Sequence, residues 1–164
     1  MFGIDASTLV VSIIFVFAII APFVYHGLKN KKHQKTQMEN FQSFAKTIGV
    51  KPAKIENWRN LYLLGLDPNS KILLYFKDGL NPEQTFINLE EVVKINIYEK
   101  SRIVELGVEK RNVLDYLGIQ FNFKDHYKPE KIIEIYDAEI FSGQDGESVL
   151  AKKWVELLKS QLNN

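Results

Sequence analysis

The chain has 164 residues, no cysteine and a formal net charge of +1, from 21 basic and 20 acidic side chains. The absence of cysteine excludes disulfide bonds, thiolate catalysis and cysteine-ligated metals. Four of the basic side chains but only one acidic side chain come before residue 37, so the remainder carries a net charge near −2. That remainder therefore lacks the basic surface that binds nucleic acid.

The first element is an uncharged apolar stretch at residues 8–28. No ionised side chain interrupts the 23 residues between Asp5 and Lys29. At about 1.5 Å of helical rise each, they are enough to cross the ~30 Å hydrocarbon layer of a bilayer. The alternative is a cleaved signal peptide, but the leader has no basic residue and the stretch has no small-residue cleavage site. We predict a transmembrane anchor over residues 1–28.

Four lysines follow this stretch directly: Lys29, Lys31, Lys32 and Lys35. No basic side chain precedes the predicted span, so the positive-inside rule places the N-terminus outside and the C-terminal domain in the cytoplasm. The prediction is a single-pass protein of a bacterial inner (plasma) membrane. The lysines are predicted to contact the membrane surface, either as a topology determinant or as a site that recognises anionic lipid.

Residues 29–59 are predicted to be a basic juxtamembrane linker that contains a short amphipathic helix at 36–48. Apolar residues recur there at helical spacing, and Gly49 is suited to end the helix. The apolar stripe of this helix can lie on the bilayer or pack on the domain that follows. The segment 50–60 reads as irregular, with Pro52 and Trp58 in it.

From residue 60 the hydrophobic period changes from helical to two, which indicates strands. Residues 61–67 and 71–77 predict a hairpin, because the sequence Asp-Pro-Asn-Ser between them is typical of a type I turn. Further strands are predicted at 85–89, 92–98, 117–123 and 131–140. A weaker strand is predicted inside the charged stretch 99–111, where the apolar residues Ile103, Leu106 and Val108 would take part in strand pairing. The side chains expected to face the core are Val93, Ile95, Ile97, Leu117, Ile119, Phe121 and Phe123.

A helix is predicted over residues 147–162, after a loop rich in glycine and polar residues. Its buried stripe consists of Leu150, Trp154, Leu157, Leu158 and Leu162. Residues 60–164 thus form one domain of α+β class: an antiparallel sheet or partly open barrel of five to seven strands, capped by a C-terminal amphipathic helix.

This order of elements resembles the bacterial pleckstrin-homology-like (PH-like) domains. The matching features are the hairpin LYLLGLDPNSKILLYFK, the segment FINLEEVVKINIY and the terminal helix with Trp154. The whole chain is also similar to a group of uncharacterised, singly anchored membrane proteins of Bacteroidetes-type bacteria. The resemblance implies a binding or scaffolding module. Lipid-binding relatives use a basic loop between the first two strands, whereas the corresponding loop here, residues 67–70, contains no cation.

The sequence contains no recognised catalytic motif and predicts no metal or cofactor. His126 is the one histidine after residue 60, and Asp125, Glu130, Glu134, Asp137 and Glu139 lie near it in sequence. These residues could form a metal site or an acid/base pair, or simply an ordinary solvated row. Four tyrosines beside polar positions, namely Tyr98, Tyr116, Tyr127 and Tyr136, are candidates for a protein interface.

Three functions are compatible with these features. The first is an interaction or scaffolding domain that docks a protein partner at the inner membrane surface, through an open sheet edge or an aromatic face. The second is a sensor of anionic lipid or a small ligand. The third is an enzyme that uses carboxylates and His126. We expect the first, and we expect that the protein is not an enzyme.

Overall fold

A computed structural model describes residues 6–107 and 109–162, and the side chains of those residues except 6–14, 22, 23, 26, 106 and 109. The chain divides into two compact units, Met1–Phe44 and Ala45–Asn164. Helix α1 spans Ala6–Ile48, and a second helix, α2, spans Glu147–Leu162. Seven strands and one short 3-10 helix lie between them.

Helix α1 is continuous where the sequence predicted an anchor, a linker and a separate short helix. Residues 29–48 contain no proline or glycine and are rich in lysine and glutamine, which are good helix formers, so nothing interrupts the helix there. The predicted stop at Gly49 is confirmed: its φ is +81°, and the amide of Val50 donates to the carbonyl of Ala45 (3.0 Å).

Among the residues whose side chains the structure describes, no helix is both long enough and apolar enough to cross a membrane. The side chains of residues 8–14, the first part of the predicted span, lie outside the described set. This finding contradicts the predicted transmembrane helix, and with it the single-pass topology and the inner-membrane location.

The β domain consists of two antiparallel sheets and helix α2, which confirms the predicted α+β class with antiparallel strands and a C-terminal helix. The first sheet has the order β1-β2-β3-β4 and the second β5-β6-β7. The strands are β1 (Lys54–Trp58), β2 (Tyr62–Asp67), β3 (Ile72–Lys77), β4 (Glu83–Asn88), β5 (Val92–Leu106), β6 (Glu109–Phe123) and β7 (Lys131–Asp137).

The core of the domain is built from apolar side chains of both sheets and of α2. The inward residues predicted for β6 are confirmed: Leu117, Ile119 and Phe121 are fully buried, and Phe123 nearly so. On α2, Trp154 and Leu158 are fully buried as predicted, and the residues beside them, Ala151 and Val155, join them in the core.

Strand β1 lies in the segment that was expected to be irregular. It pairs with β2 along its whole length, from Lys54 opposite Leu66 to Trp58 opposite Tyr62. Its residues alternate between half-buried and exposed and none is fully buried, so the sequence shows no strong apolar period there. The hairpin turns through Arg59 and Asn60, both with positive φ.

The β5–β6 hairpin is longer than predicted. Residues 99–106 extend β5 and pair with β6 back to Glu109, where the sequence predicted only a weak strand. Ile103 is exposed on this extension. The predicted pairing of Val108 falls on a position outside the described residues, and the side chain of Leu106 is likewise not described.

Three register shifts change which side chains face the core. Val93 has no partner on β6, because Val92 pairs with Phe123 and Lys94 with Asn122. Such a bulge reverses the alternation of side chains along a strand. Val92 is therefore buried, and Val93, predicted to face the core, is 61% exposed. The other two shifts, at Asp115 and at Ile135, lie beside the candidate site.

Candidate functional site

A concave surface lies on the outer face of the second sheet, beside the end of β7 and the neighbouring parts of β5 and β6. We call it the tyrosine groove. It has a volume of about 500 Å³, within the range of ligand sites in proteins. Its lining residues are Tyr98, Lys100, Arg102, Asp115, Tyr116, Ile132, Asp137, Ala138 and Glu139.

Two tyrosine rings form the aromatic part of the groove. The ring centroids of Tyr98 and Tyr116 are 6.0 Å apart and their planes meet at 74°, an edge-to-face arrangement. Both side chains are half-buried. The sequence proposed each residue separately as an interface candidate, and the pairing of β5 with β6 brings the two into contact.

A β-bulge lets two successive residues of β6 line the groove. Lys100 pairs with Tyr116 and Ser101 with Leu114, which leaves Asp115 without a partner on β5. In a regular strand, neighbouring side chains point to opposite faces. Because of the extra residue, Asp115 joins Tyr116 on the groove side, and its carboxylate forms an ion pair with Arg102, with 3.2 Å between Oδ1 and Nε.

Gly118 allows the groove to be lined closely. A Cβ on this residue would lie 2.6 Å from Ile132 Cγ2, 2.8 Å from the Ile133 carbonyl oxygen and 3.2 Å from Cε1 of Tyr116. Only a residue without a side chain permits this approach of Ile132 and the Tyr116 ring. The glycine is thus a structural requirement of the groove.

Replacing Gly118 with alanine should lower the free energy of unfolding by about 1–3 kcal/mol, because the backbone oxygen of Ile133 cannot move aside as a flexible side chain could. Urea unfolding followed by tryptophan fluorescence measures this change. Gly143→Ala is the matched control, since nothing lies within 4 Å of a Cβ there. Equal stability of the two variants would contradict the close packing described at Gly118.

A partly buried ionic cluster lies next to the groove and is centred on Glu134, the residue of β7 that pairs with Gly118. The carboxylate of Glu134 accepts from the Tyr62 hydroxyl at 2.5 Å and from Lys77 Nζ at 2.7 Å. The side chains of Glu134 and Lys77 are only 13% and 12% exposed. We call Tyr62, Lys77 and Glu134 the Glu134 cluster; it connects β7 to β2 and β3 of the other sheet.

The electrostatic environment of Tyr116 is negative. Burial raises the pKa of the Tyr116 hydroxyl, and the negative charges of Glu134 and Asp137 raise it further. The pKa of Tyr62 is also raised, first by burial and then by its hydrogen bond to Glu134. Both hydroxyls therefore stay protonated at neutral pH and can act as hydrogen-bond donors.

The other two predicted tyrosines lie elsewhere. Tyr127 is 97% exposed, in the loop between β6 and β7. Tyr136 is buried in the core rather than on the surface, because the register shift that leaves Ile135 unpaired turns the next side chain inward. Its hydroxyl donates to the carbonyl of Phe141 (3.3 Å). Tyr98 and Tyr116 are thus the two of the four that share a site.

The four lysines Lys29, Lys31, Lys32 and Lys35 are all exposed on α1, and Lys35 lies 3.9 Å from Glu39. Their predicted contact with a membrane surface stays a prediction. His126 is exposed in the β6–β7 loop. Across residues 6–107 and 109–162, no group of three or more metal-ligating side chains is arranged to hold a metal ion.

Sequence reasoning missed most of the groove. Arg102, Asp115 and Ile132 were not singled out, and Asp137 and Glu139 were considered only with His126, as a metal site, an acid/base pair or a solvated row. One available signal was Gly118, since a glycine inside an alternating strand indicates a close approach of another part of the chain. The charged lining gave no such signal, because charged residues in long hairpins are ordinarily solvated.

Comparison of the chain with protein-family models, with curated proteins and with solved structures finds no match in any of the three.

Proposed function

We propose that the β domain is a protein-interaction module that binds an extended peptide segment of a partner protein. The segment adds as a strand to the open edge of β6, beside the tyrosine groove. The observation that carries this proposal is the unequal length of the strands of the second sheet. Strand β7 ends at Asp137, opposite Tyr116, whereas β6 begins at Glu109.

Residues 109–115 of β6 therefore pair on one side only, with β5, among the strands that the structure describes. The amide of Ala138 donates to the carbonyl of Asp115 (2.8 Å), one residue beyond the β7 pairing. The rest of this edge, residues 109–114, is roughly 20 Å long at the usual rise per residue and offers backbone groups to an incoming strand. Such strand addition is a recurrent mode of peptide recognition.

The groove supplies the specific contacts that a bare edge lacks. Val113 pairs with Arg102, so it lies on the face of the hairpin that carries the groove. Ile103 pairs with Asn112 and belongs to the opposite face. A strand added along β6 would place alternate side chains against Val113 and the two tyrosines. Half-buried tyrosines are typical anchors of protein interfaces.

The resemblance to PH-like domains implies a small, partly open antiparallel barrel closed by a C-terminal helix, and it belongs to the same proposal. The turn at residues 67–70 is held by Asp67, whose carboxylate accepts from the amides of Asn69 and Ser70. This loop presents no cation, which favours a protein segment over an anionic lipid as the occupant of the domain.

Peptides selected from a random twelve-residue library displayed on phage, with the full chain as target, test the proposal. The strongest binder is N-methylated in two versions, one at its odd-numbered amides and one at its even-numbered amides. One version should bind about tenfold or more weakly than the unmodified peptide, and the other should differ from it by less than about threefold. The reason is that only every second amide of an added strand donates to β6, and each lost bond costs about 0.5–1.5 kcal/mol.

Val113→Asp and Ile103→Asp form a matched pair for the same peptides. We expect the first to weaken binding about fivefold or more and the second to leave it nearly unchanged, because they lie on opposite faces of the hairpin. Failure to select any binder, equal effects of both methylation parities, or equal effects of the two substitutions would each overturn strand addition at β6.

A further inference from the structure

The tyrosine groove combines two features that attract a positively charged group. The first is the pair of rings at 74°, whose faces carry negative charge density and bind ammonium or guanidinium groups within about 6 Å. Two rings set at a large angle can contact one cation from two sides. The second feature is the set of carboxylates that shares the lining.

Asp115, Asp137 and Glu139 all line the groove. Asp115 is neutralised by Arg102. Asp137 and Glu139 form no ion pair among the described side chains; the Asp137 carboxylate instead accepts from the backbone amide of Glu139 at 2.8 Å. Besides Arg102, the one cation of the lining is Lys100, which is exposed. Two carboxylates therefore remain available to an incoming cation.

The unpaired negative charge near the rings comes from the end of β7. Asp137 acts electrostatically on Tyr116, whereas the carboxylate of Glu134 is already paired with Lys77 Nζ at 2.7 Å. A cation in the groove would thus face Asp137 and Glu139. The volume of about 500 Å³ leaves room for a long side chain.

We propose that the tyrosine groove binds a cationic side chain of the partner, a lysine, a methylated lysine or an arginine. The charged group lies against the faces of Tyr98 and Tyr116 and is neutralised by Asp137 and Glu139. This inference rests on the proposed peptide-binding function and names the side chain that the segment inserts. It is tested with small probes that need no strand addition, so its failure is distinguishable from failure of that function.

The probes are tetramethylammonium chloride and its neutral analogue tert-butyl alcohol, titrated into the full chain at constant ionic strength. Tyrosine ring signals are followed by NMR with ring-labelled tyrosine. We expect saturable shifts of the Tyr98 and Tyr116 signals with the cation. The neutral analogue should bind about 3-fold to 30-fold more weakly, the range of measured cation–aromatic attraction.

Two variants locate the effect. Tyr98→Leu should remove most of the cation preference, and the double variant Asp137→Asn, Glu139→Gln should reduce it while keeping the Asp137 oxygen that accepts from residue 139. Tyr127→Leu, far out in the β6–β7 loop, is the control and should change nothing. Thermal unfolding of each variant establishes that it is folded under the conditions of the titration.

Equal affinity for the two probes would overturn the proposal, as would cation-induced shifts that are as large for Tyr127 as for the groove tyrosines. A cation that moves neither Tyr98 nor Tyr116 would overturn it as well. In any of these cases, peptides selected on the β6 edge could still bind, and the groove would then be only an apolar neighbour of that edge.

Discussion

Replacing Trp154 with alanine should lower the free energy of unfolding by about 3–5 kcal/mol, the largest effect expected of any single substitution in the domain. Trp154 is fully buried on the face of α2 that packs against the sheets. Its indole Nε1 also donates to Glu56 Oε2 on β1 at 2.9 Å. Alanine would leave a large cavity and remove one of the hydrogen bonds that connect the helix to Glu56 on the first sheet.

Urea unfolding of the full chain, followed by far-UV circular dichroism, measures this loss. Trp154→Phe should cost less than the alanine variant, because it keeps most of the ring volume and loses only the indole N–H. Val149→Ala, on the same helix but 70% exposed, should change stability by less than about 0.5 kcal/mol. Equal midpoints for the two alanine variants would mean that α2 does not stabilise the sheets.

Replacing Lys77 with methionine should destabilise the protein by about 3 kcal/mol. The substitution leaves the carboxylate of Glu134 without a cation in a site where only 13% of that side chain is exposed. The Tyr62 hydroxyl remains as a donor but does not neutralise the charge. We place the cost at the lower end of the range for buried pairs, because both side chains keep some contact with solvent.

Lys131→Met provides a closely matched control. Lys131 and Glu83 also connect β7 to the first sheet at 2.7 Å, but their side chains are 39% and 38% exposed. Solvent-exposed pairs contribute about 0–1 kcal/mol, so this variant should be nearly neutral in urea unfolding. The double variant Lys77→Met, Glu134→Met should be more stable than Lys77→Met alone, since it leaves no buried charge. Equal losses for Lys77→Met and Lys131→Met would show that burial does not govern these pairs.

The Glu134 cluster links these stability arguments to the proposed site. Gly118 pairs with Glu134 and also permits the close approach of Ile132 and Tyr116. A change in the cluster should therefore disturb the groove even though none of its three residues lines it. The stability of Lys77→Met has to be known before any binding data on that variant are interpreted.

Local sequence predicted most of the secondary structure, and the physical reason is visible in each case. The turn at residues 67–70 formed where Asp67 could accept from the two following amides. Helix α2 begins and ends at the predicted residues because a glycine loop precedes a strongly periodic stripe. Strand β6 faces the core as predicted over Leu117 to Phe123, where its alternation is unbroken.

The errors have two causes. The predicted membrane span came from hydrophobicity alone, and the described side chains of α1 contain no stretch that is long and apolar enough for a crossing. The misplaced Val93 and Tyr136 came from assuming unbroken alternation along β5 and β7. A bulge depends on which residue of the neighbouring strand each amide meets, so a single strand's sequence does not indicate it.

The sequence by itself determined the class of domain, the order of the strands after β1 and of helix α2, and the candidacy of Tyr98 and Tyr116. These features depend on interactions between residues close in the chain: turn geometry, hydrophobic period and helix capping. Only the tertiary structure decided that the two tyrosines touch, that Asp115 lies beside them and that β6 extends beyond the end of β7. Those facts depend on strand register and strand length across the sheet, which are set by packing between segments far apart in sequence.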